Sequence, residues 1–87
     1  MNLTDYRQQI DEIDGKLLHL FEERMSISRE IACYKKEHGL ATLDTAREQE
    51  KLAIIDEKAS AELRPYAHTL YLTILNLSRM YQESTCE

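Results

Sequence analysis

The 87-residue chain carries 16 acidic and 11 basic side chains, a formal charge of −5 and a pI near 5.2. That balance argues against nucleic acid as the main partner and leaves room for a small anion held by local cations. No apolar run approaches the roughly 20 residues that span a bilayer, and the opening Met1-Asn2-Leu3-Thr4-Asp5 lacks the basic and apolar regions of a signal peptide. Cys33 and Cys86 stand far apart without metal-type spacing, so reduced thiols in a cytoplasmic protein are expected.

From Leu3 to Tyr34 the apolar residues Leu3, Tyr6, Ile10, Ile13, Leu17, Leu20, Ile27, Ile31 and Tyr34 recur on a heptad spacing, the mark of a helical seam. The seam position between Leu20 and Ile27 is Arg24. This predicts a first helix over 4–38, capped by Thr4 or Asn2 with Asp5 in its first turn, and stopped by Gly39 after Lys35 and Lys36. Such a helix is about 50 Å long, whereas a compact globule of this length is roughly 30 Å across. Half of the seam therefore needs a second chain, most simply in a symmetric dimer. Leu18, Phe21, Met25 and Ala32 widen the stripe, so the helix expects more than one neighbour.

Residues 39–44 break the periodicity and read as a connector. A second helix is predicted over 45–62, with Leu52, Ile55 and Ala59 on one line and Glu48 one turn upstream on it. Thr45 and Glu48 have capping-box spacing, a structural account of that carboxylate. Pro65 suits the first turn of a third helix over 65–84. That helix has two stripes: Tyr66, Leu70, Ile74, Leu77 and Tyr81, and then Tyr71, Leu75, Ser78 and Gln82. Ser78 and Gln82 thus continue an apolar row with polar groups. The tail from Glu83 to Glu87 is expected to fray. The class is all-α: one domain over 1–87, three helices per chain, in an intertwined homodimeric bundle.

Arg24 and Lys35 are eleven residues apart, which puts them on one side of the helix about 16 Å apart, close enough to converge on one small anion. Arg7 lies some 25 Å from Arg24 along the axis and roughly 100° around it, so it reaches that anion only from the other chain of an antiparallel pair. The structural alternatives are plain. Arg7 and Lys35 can cover apolar surface with their heads in water, Arg47 reads as a solvated charge, and Ser78 and Gln82 can bond a neighbouring helix. His19, His38 and His68 have no metal spacing, and no Cys/His or Ser/His/Asp arrangement emerges. The inward polar set is cationic, with neutral hydrogen-bonders, one carboxylate and no activated nucleophile. It suits an anion carrying a hydroxyl, or a reaction run by orientation and electrostatics.

The run from Tyr6 to Leu18, then Glu23-Arg24, Glu30-Ile31 and Lys35, then Asp44-Thr45-Ala46-Arg47-Glu48, then Ser78 and Gln82, resembles the all-helical chorismate mutase family. The resemblance implies intertwined homodimers of three-helix chains. It implies conversion of chorismate to prephenate, a [3,3]-sigmatropic rearrangement on the way to phenylalanine and tyrosine, with no cofactor and no metal. By the same resemblance, Arg24 and the partner's Arg7 would hold the substrate carboxylates, and Lys35 and Gln82 would donate to the ether oxygen. Glu48 and the Asp44 backbone would hold the ring hydroxyl, with Arg47 and Ser78 completing the carboxylate environment. An isochorismate-pyruvate lyase of the same fold and a non-catalytic ligand-binding helical dimer are the competing expectations.

Overall fold

The computed structural model describes residues 1–84, and among these the fold is three helices without a strand. Helix α1 runs Leu3–Glu37, α2 Thr45–Lys58 and α3 Arg64–Ser84. Asn2, rather than Thr4, caps α1: its Oδ1 accepts from the Asp5 N–H at 2.9 Å while the Asp5 carboxylate accepts from the Asn2 N–H at 3.2 Å. This reciprocal pair satisfies two of the donors that a helix start leaves open. At the other end Leu40 N–H donates to the Lys35 carbonyl at 2.8 Å and Gly39 N–H to the Lys36 carbonyl at 3.3 Å. That closure requires a left-handed residue between them, and Gly39 supplies it with φ 67°.

Helix α2 stops four residues before the predicted 62. Ala59 is already extended, with φ −70° and ψ 145°, and Leu63 N–H donates to the Ser60 carbonyl in the turn that follows. Arg64 secures the break. Its Nε donates to the Asp56 carbonyl at 2.6 Å and its Nη2 to the Ala59 carbonyl at 3.3 Å, caring for backbone acceptors that the ended helix leaves unpaired. Helix propensity through Ala61 and Glu62 favoured continuation; turning α3 back onto α2 overrides it. Pro65 falls in the first turn of α3, where its missing N–H has no intrahelical partner to lose. Glu83 and Ser84 stay helical rather than fraying, and the rest of the expected frayed tail lies outside the described residues.

Helix α3 lies against both α1 and α2, whose backbones do not meet. The stripe through Tyr71, Leu75, Ser78 and Gln82 faces inward, while Tyr66, Leu70 and Leu77 of the other stripe are exposed. A 35-residue α1 spans about 52 Å, and it sets the 55 Å long axis of the chain. The radius of gyration, 16.1 Å, exceeds the roughly 12 Å of a compact chain this size. Among the described residues only Ser28, Ala32 and Ser78 are buried. Leu3, Tyr6, Ile10, Ile13, Leu17 and Leu20 are each 51–60 % exposed, and Ala32 is the one hydrophobic residue buried among the described residues, a very small core for a chain of this length.

Cys33 is disulfide-bonded, which corrects the reduced thiol expected from the sequence. Cys86, the other cysteine of the chain, lies outside the described residues. No described helix is long and apolar enough to cross a membrane.

Candidate functional site

Where the C-terminal half of α1, the connector, the first turn of α2 and the last turns of α3 come together, they enclose a recess of about 110 Å³. Arg24, Lys35, Asp44, Arg47, Glu48, Ser78 and Gln82 all line it, together with Ser28, Thr42, Leu43, Leu75 and Arg79. Seven of the eight residues singled out in the sequence thus converge on one place. The eighth, Arg7, does not line it and sits in the uncovered half of α1. A wider hollow of about 300 Å³ continues past Ile27, Ile31 and Lys51, sharing Arg24, Arg47 and Glu48.

The side chains are held by neutral groups. Arg24 Nη1 donates to Ser78 Oγ at 2.8 Å, and that hydroxyl is turned toward the sulfur of Met25 at 3.7 Å. A half-buried guanidinium has several further N–H donors in a fixed fork, so one bond to a buried serine orients the group without neutralising it. Lys35 Nζ donates to the Thr42 carbonyl at 3.2 Å, keeping its charge and two further donors. Gln82 Nε2 donates to the Ser28 carbonyl at 2.9 Å. A carbonyl only accepts, so this contact fixes which end of the amide points at α1 and leaves the second N–H available.

The connector end is set by the cap of α2. Asp44 is that cap: its side chain accepts from the Arg47 N–H at 3.0 Å and its carbonyl from the Glu48 N–H at 3.1 Å. The expected Thr45–Glu48 capping box is therefore not formed, because a carboxylate one residue earlier serves the helix end first. Glu48 is released from that duty and reaches α3, where its Oε1 lies 3.2 Å from Arg79 Nε. Arg47 pairs with Glu50 at 3.4 Å, with both side chains largely in water, so this contact contributes little.

Arg24, Lys35, Arg47 and Arg79 face Asp44 and Glu48 across the recess, four cations against two carboxylates in a chain whose overall charge is −5. The excess of positive charge is local, and its sign is complementary to a small anion with more than one acidic group. Arg79, Ser28 and Thr42 escaped the sequence reading. For Arg79 a signal existed, since Leu75, Arg79 and Gln82 are four and three apart, the same row rule that singled out Ser78. Ser28 and Thr42 act through backbone carbonyls, which any residue type provides.

The model of the family described as chorismate mutase type II matches residues 6–83. A chorismate mutase of Methanocaldococcus jannaschii is 40 % identical over 47 residues, 54 % of this chain and 48 % of that protein. The chain thus spans about half the length of the curated relative it matches.

Proposed function

The chain belongs to the chorismate mutase type II family, and we propose that it converts chorismate to prephenate at the recess between α1, α2 and α3, residues 1–87 forming one such domain. The observation that carries this is Arg24 and Lys35, on one face of α1, bonded among the described residues to the neutral Ser78 hydroxyl and Thr42 carbonyl. Their charges are oriented without being neutralised by these partners, Arg24 ready for a carboxylate and Lys35 for the ether oxygen.

In the rearrangement one carbon–oxygen bond of the ether breaks while a carbon–carbon bond forms, and no group is lost. The ether oxygen gains negative charge at the transition state and the ring gains positive character. Lys35 Nζ and the second N–H of Gln82 are the donors for that oxygen, and a fixed ammonium stabilises it more there than in the ground state. Arg24, with Arg47 beside it, clamps carboxylate and selects the compact conformer in which the reacting carbons approach. Glu48 accepts the ring hydroxyl. No proton leaves the substrate, so no general base is required.

Arg7 enters this reading from a second chain. The uncovered apolar seam on the N-terminal half of α1 supports an intertwined homodimer in which that half lies across the partner and carries Arg7 to the partner's recess. The cytoplasm is the compartment of this proposal. A disulfide at Cys33 pulls against a reducing compartment, and alkylating thiols in intact cells before lysis separates the two.

The deciding experiment supplies chorismate and isochorismate separately and identifies products. Prephenate from chorismate is expected. Salicylate with pyruvate from isochorismate alone would replace the mutase by a lyase, and tight binding of chorismate without turnover would leave a ligand-binding dimer.

A further inference from the structure

The recess holds four cations and two carboxylates, and the placement of the carboxylates decides whether the cations can serve a dianion. Asp44 is fixed by the Arg47 N–H in the cap of α2. Glu48 is not tied down by its own helix. It lines both hollows together with Arg24 and Arg47, and in the absence of another partner its carboxylate would settle on the nearest uncompensated guanidinium. The structure puts Arg79 in the way of that collapse. It projects from α3, lies 3.2 Å from Glu48 Oε1 and forms an ion pair of which the Glu48 side chain is only 22 % exposed.

We propose that Arg79 is a positioning residue that detains the Glu48 carboxylate on the α3 side of the recess. It leaves Arg24 free for a substrate carboxylate and Lys35 free for the ether oxygen, and aims Glu48 at the ring hydroxyl. The inference rests on the mutase reading above. The form of the contact supports it: Arg79 Nε is buried and makes no hydrogen bond although Glu48 Oε1 is within ion-pair distance. The N–H is not aimed along the contact, so charge, rather than an aligned guanidinium fork, holds Glu48. A lysine at this position supplies the same charge. A second polar contact of Arg79 among the described residues, Nη2 donating to Asn76 Oδ1 at 3.5 Å along its own helix, is long.

The test is a double-mutant cycle of Arg79→Gln and Glu48→Gln, with Arg79→Lys beside it. Prephenate affinity is read by titration calorimetry and chorismate turnover by steady-state kinetics. Arg79→Gln in the wild-type background should weaken prephenate binding and raise KM on the order of tenfold, with a smaller change in kcat. In the Glu48→Gln background, where no carboxylate is left to collapse, the same substitution should change affinity by less than about twofold. Arg79→Lys should remain within about threefold of wild type, since the contact is one of charge.

Equal losses in both backgrounds, accompanied by a lower thermal midpoint, would make Arg79 a fastener of α2 to α3 and overturn the inference. So would a folded Arg79→Lys chain as weak as Arg79→Gln. If the glutamine chain does not fold, the folded lysine chain decides: within about threefold of wild type supports the inference and a loss on the order of tenfold overturns it. A wild-type chain that leaves chorismate unchanged and binds no prephenate removes the mutase reading and this inference with it. An active wild type with an unaffected Arg79→Gln removes the inference alone.

Discussion

The two halves of α1 are written in the same heptad and end in opposite situations. From Leu3 to Leu20 the seam residues are each more than half exposed. From Arg24 onward the same helix is packed by α3, buries Ser28 and Ala32 and turns Arg24 and Lys35 into the recess. Continuity of the backbone makes the halves one rigid rod, so whatever covers the first half is fixed in position relative to the site on the second. The contrast shows that periodicity sets which face is apolar, whereas packing decides whether that face becomes core, site or interface.

The sharpest way to break this comparison is at Arg24. Arg24→Leu completes the seam with an apolar residue, and kcat/KM for chorismate should fall on the order of a thousandfold while the helical circular dichroism and thermal midpoint are kept or rise. An active Arg24→Leu chain would return the site half to a mere packing surface. On the other half, Ile10→Glu with Leu17→Glu should convert a dimer to monomers in sedimentation equilibrium and abolish turnover, because buried unpaired carboxylates are costly. A wild-type chain that sediments as an active monomer would end the shared-site proposal.

Mixing tests the link between the halves. Arg7→Ala and Lys35→Ala chains, each inactive alone, should recover about a quarter of wild-type activity after subunit exchange at equal amounts, since half of the dimers are mixed and each carries one intact site. Within the site half, Gln82 donates through an amide that does not titrate, so the rate should be flat from about pH 6 to 8. Gln82→Glu should lose rate as pH rises through the carboxyl range, because only the protonated acid donates; a pH profile of kcat decides. The smallest effect is expected at the end of the rod. Gly39→Ala meets open space but must hold φ 67°, which costs about 1 kcal/mol and lowers the midpoint by roughly 4–8 °C.

Much of this was legible beforehand because helices announce themselves locally. The seam, the Gly39 stop and the two stripes of α3 follow from spacing and from one residue's backbone freedom, and the structure places their ends within a residue of expectation, apart from α2. The end of α2 was illegible, since Ala61 and Glu62 favour helix and only the Arg64 contacts to the Asp56 and Ala59 carbonyls mark the break. Glu48 could be read two ways, as a capping residue or as part of a site. Asp44 taking the cap resolved the structural half of that ambiguity. Arg79 keeps row spacing with Leu75 and Gln82 but is hard to read there, because a charged side chain on a helix is ordinarily solvated.

The sequence by itself determined that the chain is helical, that α1 is too long for its own monomer, and that Arg24 breaks a seam it should complete. Those are consequences of period, length and residue chemistry, none of which depends on what the chain folds against. Only the tertiary structure decided that Arg24, Lys35, Glu48 and Gln82, spread over 59 positions of sequence, open on one recess. It also decided that Arg24 and Lys35 are oriented by neutral partners while Arg79 pairs with the Glu48 carboxylate. Charges on different helices have no local signature of their separation; their distance is fixed by how α3 packs against its neighbours, and with it the balance of attraction that a ligand meets.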